Sequence, residues 1–404
     1  MTHKKLLKKT TCIVCIVIML LSLLTSCKET SHTPISTKPT IAISNDHAAI
    51  VKEDGSLWTW GNNTYGQCGN GTRTYGSIPP EKVQSGIISV AAGTFFTLAI
   101  DADNTLLGWG SKIWGSLTNR AIEVRDTPDS VYPFVKPMEI MEDVVYVSCK
   151  DAVSMAIKKD GTLWRWGSIM IQGGAGTLPG LYNPEPTLIM EDVSSVVQSS
   201  VIFHYDETNT GNSFQSAYVL AIKNDNSLWL WGYNLTWQVD ETAPRHILDP
   251  IKIMDNVTSV AVSNKAIAII KDDKSLWLWG ELETDWLGKS DERNIFPEPK
   301  KVLDSVSEVS VNTSHVMAIR EDGSLWAMGD NKFSQLGDGT TEARADFVKV
   351  MEHVTTVAAG PRHTIACLDD GRVLEWGWTS RNFLSFGEEG VFPYTPPQEV
   401  MLQE

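Results

Sequence analysis

Residues 203–207, Phe-His-Tyr-Asp-Glu, set an imidazole, a phenol and two carboxylates side by side, the groups that move protons in acid–base catalysis. Adjacent loop residues do not by themselves define a site, and nothing accompanies His204, Tyr205, Asp206 and Glu207 that would complete one. The chain has no His-Glu-x-x-His, no Gly-x-Ser-x-Gly and no phosphate loop. Gly173-Gly174-Ala175-Gly176 lacks a following helix and a lysine, so it reads as a turn. Asp338-Gly339-Thr340 offers one carboxylate where calcium takes six to eight oxygens. The acidic pairs Glu142-Asp143 and Glu191-Asp192 come round periodically and are expected to cap turns. Cys68, Cys149 and Cys367 are odd in number and lack metal spacing, so they read as small buried residues. No catalytic residue, metal ligand or cofactor is assigned.

The amino terminus carries a different chemistry. Lys4, Lys5, Lys8 and Lys9 precede an apolar run at residues 12–24, too short to span a bilayer and suited to a signal segment. It ends in Leu24-Thr25-Ser26-Cys27, which resembles the lipobox of bacterial lipoproteins. The resemblance implies cleavage after residue 26, diacylation of the Cys27 thiol and acylation of the new amino terminus; several acyl chains anchor a protein stably. Residues 28–39 are rich in Ser, Thr, Pro and Lys and read as a flexible tether reaching at most about 40 Å. The expected division is a signal peptide at 1–26, a lipidated cysteine and tether at 27–40, and a folded domain at 41–404. Removing the signal leaves 30 basic against 49 acidic residues, a formal charge of −19. A nucleic-acid reader needs the opposite sign, so that class is excluded.

The folded part is organised by repetition. Gly61, Gly110, Gly167, Gly232, Gly280, Gly329 and Gly377 each close a phrase whose fullest form is Gly55-Ser56-Leu57-Trp58-Thr59-Trp60-Gly61. Their spacings are 49, 57, 65, 48, 49 and 48 residues. Each unit aligns as a short β-branched strand, an Ala-Ile strand, an Asp-Gly turn, the Trp-x-Trp-Gly strand and a fourth strand running to Ile-Met-Glu-Asp-Val. A β-rich repeat near 50 residues means one propeller blade per copy, and the expected fold is all-β: a seven-bladed β-propeller of four-stranded antiparallel blades. Asp-Gly predicts a two-residue type I′ hairpin. Large apolar groups on both sides of the Trp-x-Trp strand predict that its tryptophans are core. The first repeat begins in first-strand phase and the last ends in fourth-strand phase, so the ring is expected to close by face packing without a shared strand.

These phrases, with Ser334-Gln335-Leu336-Gly337-Asp338-Gly339-Thr340, resemble the repeats of the regulator of chromosome condensation family. The resemblance covers 41–404 and implies that family's seven-bladed fold. The family's histidine recurs only as His47, His315 and His363, which suggests a structural slot. Plant ultraviolet photoreceptors of this fold use a Gly-Trp-Arg-His-Thr phrase; Gly360-Pro361-Arg362-His363-Thr364 lacks its tryptophan, which argues against photoreception. Exchange-factor and chromatin-binding members act inside cells, whereas this chain reads as exported. Some secreted bacterial proteins of this shape act through a loop-covered face.

The two long intervals locate that face. One adds eight residues between the third and fourth strands of blade two, the other sixteen between the first and second strands of blade four. Both connections emerge on the same side of the disc. Blade two contributes Ile113 and Trp114, and blade four Phe203, His204, Tyr205, Asp206 and Glu207, aromatics beside polar groups as in binding hot spots. The expected function is a monomeric, lipid-anchored scaffold outside a bacterial cell membrane, binding a protein or glycan. A hydrolase or lyase at the channel mouth is the alternative, and nucleotide exchange a more distant one.

Overall fold

The computed structural model describes residues 38–44, 47–111, 116–117, 134–168, 182–199, 202–205, 213–216, 218–233, 246–282, 294–378 and 396–402. They form seven four-stranded sheets and one two-stranded sheet. In blade four, Val193–Gln198, Tyr218–Lys223, Leu228–Tyr233 and His246–Met254 are hydrogen-bonded in sequence order, all antiparallel. The other six blades repeat this plan. Their first strands make the ring: Thr40–Ile43, Ile87–Ala92, Val144–Lys150, Val193–Gln198, Val257–Val262, Val306–Val311 and Val354–Ala359 each touch the next, and the last touches the first. Among the described residues no helix is long and apolar enough to cross a membrane.

Burial follows from stacking. The second strands, such as Val153–Lys158 and Ala266–Lys271, are buried at five consecutive positions because a blade is covered on both sides. The core therefore lies between blades. Leu98, Ile100 and Leu106 of blade two pack with Val144, Ala156 and Trp166 of blade three. Cys68, Cys149 and Cys367 are buried free thiols, as expected, Cys149 and Cys367 within these layers. The third strand bulges at its Trp-Gly step, and the glycine is needed there. Gly110 has φ 101°, and a Cβ on it would lie 2.5 Å from the Phe95 carbonyl oxygen.

Closure follows the sequence expectation. Gln398–Glu399 is the fourth strand of blade seven, paired to Val373–Gly377, while Thr40–Ile43 belongs to blade one. The seam is apolar, with Ala48, Ile50, Trp58 and Trp60 meeting Ile365, Cys367, Val373 and Val400.

Two details differ from the sequence expectation. The Asp-Gly hairpin is a three-residue loop. Gly55 N donates to Lys52 O (2.9 Å), Lys52 N donates to Ser56 O (3.0 Å), and only Gly55 has positive φ. That is a type I turn followed by a left-handed residue, and Asn104, Asn226 or Lys274 fills the left-handed position elsewhere. The turn is set by Asp54, whose Oδ1 accepts the amide and hydroxyl of Ser56 (2.9 and 2.6 Å). The second difference concerns the tryptophans. The second of each pair is buried, as in Trp60, Trp109, Trp166 and Trp376; the first is half-buried in Trp164, Trp229, Trp277 and Trp326, whereas Trp58 is buried in the seam. In those four blades the neighbouring blades cover the first tryptophan only in part.

Candidate binding face

Antiparallel order gives the disc two unlike sides. One carries the second-to-third-strand hairpins and the turns between blades; the other carries the first-to-second and third-to-fourth connections. On the turn side each half-buried tryptophan is held from within its repeat. Trp277 Nε1 donates to Ser275 Oγ (2.8 Å), which bonds Asp273, and the Lys271 ammonium lies 4.9 Å from the ring centroid. Trp326 repeats this with Ser324 (2.9 Å) and the Arg320 guanidinium at 4.4 Å. The Asp322 carboxyl is held below its ordinary range by hydrogen bonds from the Ser324 side chain and amide. The acidic pairs are explained here as well. Asp143 and Asp192 occupy left-handed turn positions (φ 61° and 62°), where aspartate is tolerated.

On the loop side the blades interlock. Asn63 Oδ1 accepts Cys68 N–H (3.1 Å) and Gln67 Oε1 accepts Tyr65 N–H (2.8 Å), curling the connection after the third strand of blade one. The Gln67 carbonyl then reaches blade two, where it accepts Trp109 Nε1–H (2.9 Å) and Thr97 Oγ1–H (2.8 Å). Gly69 lies on the same indole; a Cβ there would come within 2.4 Å of Nε1. Blade six repeats the arrangement toward blade seven, with Gln335 O bound by Trp376 Nε1 (3.0 Å) and Thr364 Oγ1 (2.8 Å). From blade two to blade three, Ser116 O takes Trp166 Nε1 (3.0 Å) and Ser154 Oγ (2.9 Å).

The histidine slot joins this network. Because Thr97 gives its one proton to Gln67, His47 Nε2 is the donor in their 2.8 Å contact, and His47 Nδ1 accepts from Ser44 Oγ at 2.7 Å. His315 Nε2 meets Thr364 Oγ1 at 3.1 Å, while its buried Nδ1 has no partner among the described residues. Burial holds His47 down to about 4; burial and the neighbouring His363 hold His315 down to about 3. These histidines are neutral structural groups. Asp338 is likewise occupied, by Asn331 Nδ2 (2.9 Å), Thr340 N (3.0 Å), Thr340 Oγ1 (2.8 Å) and Arg344 Nε (2.6 Å). Among the described residues no group of three metal-ligating side chains comes together.

The residues singled out for binding fall as follows. Phe203, His204 and Tyr205 lie in Ile202–Tyr205, which pairs with Ser213–Ser216 as a separate hairpin on the loop side of blade four, with Phe203 opposite Gln215 and His204 opposite Phe214. Ile113, Trp114, Asp206, Glu207 and Cys27 lie outside the described residues, as does Gly173-Gly174-Ala175-Gly176. Aromatic pairs that the sequence reading missed sit at the same rim. Tyr65 and Phe95 lie 4.7 Å apart at the junction of blades one and two. Phe333 and Trp378 meet edge-on at 5.0 Å between blades six and seven, with the Arg362 guanidinium 5.1 and 5.4 Å from their centroids. A signal existed: Tyr65 and Phe333 both stand two residues before the clamped glutamine, and Phe95 and Arg362 two residues after a strand-ending glycine.

Fold and rim define the class, a seven-bladed β-propeller whose blades interlock on one side. Its repeats match the Regulator of chromosome condensation (RCC1) repeat at residues 54–100 and 322–367, and a second form of that repeat at 40–67 and 306–335. The chain carries RCC1 repeats. It is similar to Ultraviolet-B receptor UVR8 of Arabidopsis thaliana, 29% identical over 204 residues, 49% of this chain and 42% of that one. It is also similar to Probable E3 ubiquitin-protein ligase HERC6 of Homo sapiens, 30% identical over 127 residues, 30% and 12% of the two chains. The match thus spans less than half the length of either relative. Among solved structures, yeast RCC1 (Prp20) bound to Kap60 is similar with a TM-score of 0.65 at 18% identity, over 92% of this chain and 86% of that one. Human WBSCR16 gives 0.62 at 18% identity, over 82% and 86%. At such identity the likeness speaks for the fold alone.

Proposed function

We propose that this chain is a monomeric binding scaffold held outside a bacterial cell membrane by lipid on Cys27, offering its loop side to a protein or glycan. The observation that carries this reading is the polarity of the disc. The chain enters blade one at Thr40 from the turn side, whereas the expanded connections of blades two and four emerge on the other side. An anchor at the amino terminus would leave the loop side facing away from the lipid. The repeat network supports a binding role over a catalytic one, because its histidines, threonines and glutamines are spent on holding blades together. A solved propeller of the same fold is bound to Kap60, and another is titled for its binding properties to Gsp1p and histones, so protein recognition is an established use of this architecture. A formal charge of −19 after signal removal disfavours nucleic acid.

Two measurements test the proposal. Growth with labelled palmitate should mark the wild-type protein and leave Cys27→Ser unmarked and released from membranes. Affinity capture from envelope extracts, repeated with residues 202–214 replaced by a short Gly-Ser linker, should lose its ligand. Retention of the same ligand by a folded deletion variant would rule out blade four as the recognition element.

A further inference from the structure

Three junctions carry the carbonyl clamp, and four lack its donor. Beside the histidine slot stand Thr97, Ser154 and Thr364 at junctions one–two, two–three and six–seven, where each hydroxyl bonds the preceding blade's carbonyl. Val219, Ile267, Val316 and Ala48 occupy that position at the other four, side chains with no proton to give. The indole position differs at two of these four, Trp60 and Trp231 keeping the ring at junctions seven–one and three–four. At junction four–five Trp279 Nε1 bonds Pro297 O of its own blade (3.1 Å), and blade six has Met328 in that place.

We propose that the hydroxyl–indole pair is a conformational device by which a blade fixes the loop of the blade before it. Among the described residues, loop geometry on the binding side is then set between blades at these three junctions. Clamped connections belong to blades one, two and six; blades three to five form an unbroken arc whose following junctions carry no hydroxyl donor. Around Gln67 and Gln335 the connections are preformed. Displacing the loop around Gln67 costs two hydrogen bonds made by blade two and the acceptor environment of His47, so a contact on blade one is felt in the second strand of blade two. The consequence for recognition rests on the binding-side reading; the device itself does not.

The test is amide hydrogen exchange on the full chain without any partner, so its failure is separable from failure of the proposed function. Thr97→Val keeps shape and removes the proton. It should speed exchange at residues 66–69 about tenfold or more, leaving residues 334–337 unchanged. Thr364→Val should do the reverse. Thr97→Ser, which keeps the hydroxyl, should retain protection. Unchanged exchange at 66–69 in Thr97→Val overturns the device. So does an equal rise in Thr97→Ser, or a rise in both loops at once, since either marks general loosening. If Thr97→Val does not fold, Trp109→Phe removes the other donor and is read by the same criteria.

Discussion

His47 and His315 show how far one residue's chemistry can depend on its place between blades. Each is neutral in the fold because burial penalises the imidazolium, so its folded pKa, about 4 and about 3, lies below the ordinary value of about 6.5. The unfolded chain then binds more protons throughout the interval between these values. Stability is complete above about pH 6.5 and is lost as pH falls toward the folded pKa. Going from about pH 7 to about pH 5 should cost roughly 2 kcal/mol per histidine, read as a lower urea midpoint, and His315→Phe should flatten that slope. An aromatic fits the slot, since Phe96 fills it in blade two. The cysteines make a second prediction at this scale. Burial pushes the Cys68 thiol up to about 12, and Cys149 and Cys367 are also raised by burial. Iodoacetamide near neutral pH should leave all three unmodified in the folded protein and alkylate them in denaturant.

At the scale of the strand, the two tryptophans of one phrase have different work. Trp109 is fully buried against blade one and also satisfies the Gln67 carbonyl; Trp277 is half-buried and bonds only within its own repeat. Trp109→Ala should cost ~3–5 kcal/mol in chemical unfolding, the range for a truncated core aromatic. Trp277→Ala should cost clearly less, because part of its surface is already wet. Equal losses would mean that the exposed edge is covered in solution. The sequence made the third strand and its period plain, since Trp-Gly recurs at near-constant spacing. It could not separate the two tryptophans, because which one lies under the neighbouring blade depends on strand position in the disc. The turn was misread for a related reason. Asp-Gly alone suits type I′, and only the Asp54–Ser56 hydrogen bonds select the three-residue form. The clamp leaves no local pattern in the sequence because its partners lie in different repeats: Gln67 and Trp109 are 42 residues apart.

At the scale of the molecule, the ring is a chain of seven blades closed at one seam that no connection crosses. Six junctions are joined by a short turn from a fourth strand to the next first strand; the seventh has apolar packing and, beside it, Glu308. That carboxylate accepts Thr356 Oγ1 (2.7 Å) and Val357 N–H (2.9 Å) and pairs with Lys38, linking blades six and seven to the start of blade one. Separating blades at any covalently joined junction leaves the ends close together, with a high effective concentration for reclosing. At the seam no covalent turn keeps them near. The seam should therefore be the first interface to open. Val400, buried in the seam with its N–H bonded to Val373 O at 2.8 Å, is the place to test this. Val400→Asp puts a carboxylate among apolar side chains, at a cost of several kcal/mol. Hydrogen exchange in this variant should accelerate in His47–Val51 of blade one and in Val373–Gly377 of blade seven, while Tyr218–Lys223 of blade four stays protected. A uniform rise across all three strands would mean that the ring opens as one cooperative unit, with no weakest junction.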